Sequence, residues 1–531
     1  MKIYDRNKRW LAYILPAVLL IACVLLFLPK KDSVIKPGTW QGEFDFDEAV
    51  VYFLLTDRFY NGDPTNDDPN GENYDVSHPE TYHGGDLQGI IDKLDYIQAL
   101  GVNTIWVSPI VDNINFNVRH GKDAQYGYHG YWAKDFTTVD EHIGDIETLK
   151  MLVDAVHDRG MKLMVDVVIN HAGYGMKETD QNPGIPNFPT KEEQAVFRGM
   201  LRLKPGSGAI EGELAGLPDF ITEDPDVLNQ VIDWQVGWIE KAKTSQGGTI
   251  DYFRVDTVKH VGLEELKAFK DAATLVKPDF KMIGEYFDGD IVSNGKVLEL
   301  GGMDSVLDFS FKNTVREYLR GDFEQCEKIL QNRNRMLTPQ KTVGQFLSSH
   351  DEDGFLAVRL GGDTGLFKVA ATLQITAKGQ PVIYYGEEIG LSGKTARNMD
   401  KGEFSENRYD FDWKKTKNNP ILEHYRALLA IRRQYSDLFS KGNRETVFFD
   451  EEAGISFFSR SYDGEKIVIG VNIATEARDH ELSLGLDKGV KVVDLYNGKK
   501  YSADAEGKIP VTIPSKDDGG TVILKIETKT K

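Results

Sequence analysis

The sequence predicts an α/β fold: a (β/α)₈ TIM barrel with an inserted small subdomain after strand 3 and a C-terminal antiparallel β-sandwich domain. Three observations predict it. Eight short apolar runs alternate with amphipathic stretches of helical length between residues 49 and 441, and continuous apolar strands of this kind belong to a parallel sheet covered by helices. The third run is followed by a stretch rich in Gly, Pro and Asn that is too long for an ordinary βα loop. After residue 441 apolar and polar residues alternate between turn signals such as Asp463-Gly464 and Asn497-Gly498, the pattern of antiparallel strands.

Taken in order, residues 1–30 read as a signal or membrane anchor. Lys2, Arg6, Lys8 and Arg9 precede an uncharged run from Trp10 to Pro29, about the length that spans a bilayer as a helix. The basic flank orients the remainder outside the cell membrane, an extracytoplasmic location. Leu20-Ile21-Ala22-Cys23 also resembles a lipoprotein signal with Cys23 as the lipidated residue, and a cleaved secretory peptide is a third alternative. The apolar run continues through Val24–Leu28, which favours an uncleaved anchor. Residues 31–45 form a linker.

Residues 46–171 and 225–441 supply the barrel. Its strands are read at 49–55, 103–108, 162–169, 251–256, 280–285, 305–310, 343–349 and 381–386. Helical patterns at 87–101, 145–160 and 225–242 lie between them, and 419–439 closes the barrel. Residues 172–224 form the inserted subdomain, and 442–531 the β domain.

A length of 531 residues implies one large domain with smaller ones attached. The net charge of −20 excludes nucleic acid or an anionic membrane surface as the partner, since both need a basic face. It is compatible with a neutral ligand such as a sugar and with cation binding. Only Cys326 lies beyond the apolar N-terminal segment, so no disulfide forms there, and a metal ion is the candidate staple for an exported protein.

In such a barrel the active site lies at the C-terminal ends of the strands. Four of those ends are polar: Asp166 through Asn170-His171, Arg254-Val-Asp256, Gly284-Glu285-Tyr286, and Ser349-His350-Asp351. One such Asp commonly caps the following helix; four strand ends together point to chemistry. Cleaving a glycosidic bond with retention needs one ionised carboxylate as nucleophile and a second, protonated carboxyl as general acid/base. Arg254, two residues before Asp256 and on the same face, keeps the nucleophile ionised. A site that raises the pKa of the other carboxyl keeps it protonated.

These residues resemble the α-amylase superfamily of glycoside hydrolases, family 13. The matching stretches are TDRFYNGDPTND (56–67), YHGYWAKDF (128–136), DVVINH (166–171), LPDF (217–220), FRVDTVKH (253–260), GEYF (284–287) and SSHD (348–351). The resemblance implies Asp256 as nucleophile, Glu285 as general acid/base and Asp351 as the carboxylate that holds sugar hydroxyls in the transition state. It implies substrate contacts by Tyr131, His171, Arg254, Lys259, His260 and His350. The Lys259-His260 pair accompanies action on α-1,4-linked glucans: starch, glycogen or maltooligosaccharides. The resemblance further implies Ca²⁺ at Asn170, Asp219 and the His260 carbonyl, and again at Asn61, Asp63, Asn66, Asp67, Asp86 and the Gly84 carbonyl. Cyclodextrin-forming members carry a bulky aromatic before the LPDF stretch, where this chain has Leu214 and Ala215, so hydrolysis is expected over cyclisation. Two alternatives stay open: a maltogenic amylase, cyclomaltodextrinase or transglycosylase on short α-glucans, and a non-catalytic, membrane-anchored, transporter-associated subunit.

Overall fold

A computed structural model of the chain describes residues 43–71, 73–120, 124–394 and 406–527. The expected anchor, Cys23 and most of the linker lie outside the described residues. Among the described residues no helix is long and apolar enough to cross a membrane.

The eight apolar runs form eight parallel strands. They are β1 (Val51–Leu54), β2 (Thr104–Val107), β5 (Lys162–Val167), β6 (Tyr252–Val255), β7 (Lys281–Gly284), β8 (Ser305–Asp308), β9 (Thr342–Gln345) and β10 (Gln380–Tyr384). They pair in sequence order, and β1 closes on β10. Six of the eight are buried at every position, β5 at all but Lys162 and β7 at all but Lys281, because side chains fill the barrel inside and helices cover it outside. Between β2 and β5 an antiparallel hairpin, β3 (Val111–Asn113) with β4 (Ala133–Val139), rises beside the strand ends. The sequence reading assigned no element there.

Local chemistry sets the helix boundaries. Asp86 accepts from the Gly89 amide at the start of helix Leu87–Leu100, which ends on Gly101 at φ 103°, a conformation that suits glycine. Asp145 caps Ile146–His157, Asp224 caps Pro225–Lys241, and Asn419 caps Pro420–Gln434, the last two with proline in the first turn. The inserted segment holds one short helix, Lys191–Val196, and is otherwise turns tied down by the isolated pairs His171–Asp219 and Leu201–Phe220.

The C-terminal strands are β11 (Asn443–Asp450), β12 (Ile455–Tyr462), β13 (Glu465–Asn472), β14 (Arg478–Ser483), β15 (Lys491–Asp494), β16 (Lys500–Ser502), β17 (Lys508–Ile513) and β18 (Thr521–Ile526). A six-stranded sheet, β11-β12-β13-β18-β15-β16, faces the pair β14-β17 across a core that includes Phe457, Val468, Leu482, Ile509 and Leu524. Arg460 on β12 locks this domain to the barrel. Fully buried, it donates to the carbonyls of Thr376, Phe439 and Gly442 at the ends of two helices. Arg444 and Glu327 form a buried two-bond pair beside it (3.0 and 2.6 Å). Arg460→Leu strands these carbonyls without a donor, at a cost of about 3 kcal/mol. The expected result is a lower urea midpoint for the intrinsic fluorescence transition than in the wild-type chain.

Candidate active site

The site is organised around one guanidinium. Arg254 points into the barrel from β6 and, by register, sits beside Asp166 on β5. Its Nη1 reaches both Asp166 oxygens at 3.0 Å and Asp256 Oδ1 at 2.5 Å, and its Nη2 reaches Glu285 Oε1 at 2.6 Å. Asp166 is held in turn by Trp106 Nε1 (3.1 Å) and the Tyr131 hydroxyl (2.7 Å). Burial of so many charges is tolerated only because each ion is paired and hydrogen-bonded.

Three carboxylates around one cation cannot all stay ionised in a dry floor. Burial raises Asp256 to about 6, with Arg254 opposing it. Burial raises Glu285 further, to about 8; Arg254 again opposes, while Asp256 and Asp351 add to the rise. Burial also acts upward on Asp351, but His350, Arg408 and Arg254 outweigh it and hold this carboxyl below its ordinary value. Burial lowers His350 to about 3 and His171 to about 4, leaving both rings neutral at neutral pH.

Above this floor lies a cleft of about 850 Å³. It brings together Asp256, Glu285, Asp351, Tyr131, His171, His350, Lys259 and His260, all assigned from sequence. The Tyr131 ring stacks on His350 (5.3 Å, 11°) and His171 Nε2 sits 3.2 Å from the Tyr131 carbonyl oxygen. Arg254 differs from its sequence assignment to substrate contact. It is fully buried beneath the cleft with its guanidinium engaged by carboxylates, so it positions and charges them. Lys259 reaches toward the Phe287 carbonyl (3.4 Å), and the His260 ring lies 2.7 Å from Ala209 O of the inserted segment.

Two functional residues escaped the sequence reading. Arg408, from the loop after β10, donates to the His350 carbonyl (3.1 Å) and to Asp351 Oδ1 (2.8 Å). The neighbouring Asn407 amide bonds the carbonyls of Ser349 and Glu352. An Asn-Arg dipeptide in a polar loop, 57 positions from Asp351, gives no spacing signal. Asp166 stood out as a strand-end acid, but its bond to Tyr131 crosses strands and is invisible in one dimension.

The two expected calcium sets fare differently. Asn61, Asn66, Asp67 and Gly84 converge. Asn61 Nδ2 donates to Asp67 Oδ1 at 2.6 Å, and the buried Asn61 Oδ1 and Asn66 Oδ1 have no hydrogen-bond partner. Gly84 (φ +83°) sits so close that a Cβ there would come within 2.4 Å of Asp67 Oδ1. Unpartnered hard oxygens around a tight turn fit Ca²⁺. Two expected members are engaged otherwise: Asp86 accepts from the Gly62, Asp63 and Gly89 amides, and Asp63 caps Thr65. In the other set Asn170 and Asp219 are neighbours, since the Phe220 amide donates to Asn170 O (2.8 Å). However, Asp219 Oδ2 already pairs with Arg202 Nε at 3.1 Å. Its other oxygen, Asp219 Oδ1, is buried without a hydrogen-bond partner, so this set also keeps a hard oxygen of the kind that suits Ca²⁺. Among the described residues no three His, Cys, Asp or Glu side chains are grouped to hold a metal.

A closed parallel barrel with three carboxyl groups, two neutral histidines and an aromatic platform at its C-terminal strand ends defines a barrel glycoside hydrolase. The chain belongs to the α-amylase family: the model of the alpha amylase catalytic domain matches residues 53–192 and 210–420. A Beta/alpha-amylase of Paenibacillus polymyxa is 30% identical over 89% of this chain, which spans 38% of that protein's length. Neopullulanase 2 of Thermoactinomyces vulgaris is 27% identical over 88% of this chain and 76% of its own. A solved Anoxybacillus alpha-amylase superposes with a TM-score of 0.75 at 29% identity, covering 92% of this chain and 100% of that one.

Arg408 is a positioning residue for Asp351. Arg408→Met is expected to lower kcat/KM about 100-fold, the scale of a small misplacement of a catalytic group, with Arg408→Lys recovering part of it. Because Arg408 also holds Asp351 ionised, the acid limb of kcat/KM is expected to move to higher pH, a change that a purely structural defect would not produce.

Proposed function

We propose that the protein hydrolyses α-1,4-glucosidic bonds of starch, glycogen or maltooligosaccharides with retention, through a covalent glycosyl-enzyme intermediate. The observation that carries this reading is the sharing of Arg254 between Asp256 and Glu285, with the first pushed to about 6 and the second to about 8. Near pH 7 the pair then holds one ionised carboxylate and one protonated carboxyl, the complement that retention requires.

Asp256 attacks the anomeric carbon while Glu285 gives its proton to the departing glycosidic oxygen. Water then attacks the anomeric carbon as it gives a proton to Glu285, the bond to Asp256 breaks, and both groups return to their starting states. Asp351, ionised beside neutral His350, accepts from sugar hydroxyls, and Tyr131 offers its ring to the same glucose. Tyr131 and Arg254 are fixed from below by Asp166, so the reacting groups meet the substrate without rearranging.

A narrower reading, action on short or cyclic α-glucans, is favoured by relatives named as neopullulanase, cyclomaltodextrinase and maltogenic amylase. Calcium belongs to the reading at Asn61, Asn66, Asp67 and the Gly84 carbonyl, where it would fix the loop behind β1. So does attachment to the outer face of the cell membrane through residues 1–30, which rests on sequence alone.

A product time course separates the substrate readings. Soluble starch losing iodine staining before small sugars accumulate supports action on long chains; attack confined to cyclodextrins and maltotriose supports the narrower one. With maltooligosaccharides kcat/KM is expected to rise as Asp256 ionises through about pH 6 and to fall as Glu285 loses its proton through about pH 8. Glu285→Gln should lose about 10³-fold on starch. On α-maltosyl fluoride, whose leaving group needs no proton, it should keep most of its first-step rate and show no alkaline limb.

A further inference from the structure

Among the described residues that line the cleft none comes from β8. The carboxylate at that strand end, Asp308, is already engaged. Arg333 Nε pairs with its Oδ2 at 2.6 Å, while Ser310 Oγ (2.9 Å) and the Phe311 amide (3.2 Å) donate to its Oδ1. What this end of the barrel contributes is Lys312, in the first turn of helix Phe311–Tyr318. Its ammonium lies over the rings of Phe309 and Phe346, 4.9 and 4.6 Å from their centroids, and donates to Glu352 Oε2 at 2.5 Å. The Lys312 side chain is 7% exposed and that of Glu352 19%, so the pair is poorly screened and its bond is charge-assisted.

Each of the two charges depends on the other. Burial pushes Lys312 down, with Glu352 opposing it and Arg359 adding to the fall. Burial pushes Glu352 up, with Lys312 opposing it and Asp351 and Asp288 adding to the rise. A buried ion stripped of its partner is costly, so the pair is a fixed point, and it lies one residue from Asp351. From the β10 side, Asn407 holds the carbonyls of Ser349 and Glu352, and Arg408 holds the His350 carbonyl and Asp351 Oδ1. Lys312 supplies the tie from the β8 side. Phe309 beneath it also packs on Phe287 (5.0 Å between centroids), which lines the cleft two residues beyond Glu285.

We propose that Lys312 and Glu352 are positioning residues: their ion pair clamps the turn after β9 from the β8 side and so fixes the Asp351 carboxylate against the sugar ring it holds in the transition state. The inference rests on the role given to Asp351 under Proposed function. An interaction of that kind acts on the transition state and hardly on the bound substrate. A loosened Asp351 therefore lowers kcat and the affinity for a transition-state mimic while leaving KM nearly unchanged.

The test is initial-rate kinetics of the full-length chain on a maltooligosaccharide, with the inhibition constant of acarbose, whose unsaturated ring mimics the flattened sugar of the transition state. That constant does not depend on how much of the enzyme is folded, so a purely structural defect leaves it alone. Lys312→Met is expected to lower kcat about 30-fold and to weaken acarbose by a similar factor, with KM within about threefold of the wild type. Lys312→Arg is expected to recover part of both losses. Because an unpaired Glu352 destabilises the single variant, Lys312→Met/Glu352→Leu is measured beside it. The double variant is expected to regain the lost Tm but not the affinity for acarbose. Either variant, folded, with wild-type kcat and acarbose affinity would overturn the proposal. Asp351→Asn separates the two levels. Its kcat falling about 10³-fold while the Lys312 variants stay at wild-type values overturns the clamp alone; an unchanged kcat in Asp351→Asn overturns the role of Asp351 and the clamp with it.

Discussion

The site depends on a charge imbalance that the barrel enforces. Arg254 is fully buried and faces three carboxylates: Asp166, Asp256 and Glu285. One positive charge cannot support three negative ones away from water, so one carboxyl must hold a proton at neutral pH. Glu285 takes it, since burial is the largest influence on it and both Asp256 and Asp351 repel its charge. In the proposed mechanism, which carboxyl serves as acid and which as nucleophile follows from how many carboxylates share a guanidinium, before any substrate arrives. Asp351 escapes the competition because Arg408 and His350 serve it separately.

Strand register makes that arrangement possible. In a parallel barrel alternate residues face inward, so Arg254 and Asp256 occupy the same face of one chain segment, and Asp166 lies directly across from Arg254 on β5. The Glu285 amide donates to the Val255 carbonyl at 2.9 Å, which fixes the last carboxyl one strand over. A slip of one residue in either pairing would turn a carboxylate away from the guanidinium. The buried strand ends thus carry both the rigidity and the chemistry. The loops above them supply an aromatic ring from the β3–β4 excursion, the Arg408 guanidinium on Asp351, and a wall from the insert.

How much was legible in the sequence follows the same division. The eight strands were readable because each is a short apolar run between helical patterns, and the carboxyls that meet in the cleft because they end such runs. Motif order added the site residues around them. What stayed hidden depends on contacts between distant segments. Arg408 reaches Asp351 from a polar loop, and the hairpin of β3 and β4 has too irregular a pattern to signal a strand pair. Arg254 was read both as keeping Asp256 ionised and, from the resemblance, as touching substrate; its full burial leaves only the first role. The guanidinium that pairs with Asp219 comes from 17 residues upstream, in a segment without periodicity.

In the proposed mechanism Asp256, and no other carboxylate, forms the bond to the sugar. Reaction with a 5-fluoro-α-maltosyl fluoride, which forms the intermediate faster than water releases it, followed by peptide mass spectrometry, tests it directly. One stoichiometric label is expected on the peptide carrying Asp256, and none in Asp256→Asn. A label on Glu285 or Asp351, or full turnover with inverted product and no label, would contradict it.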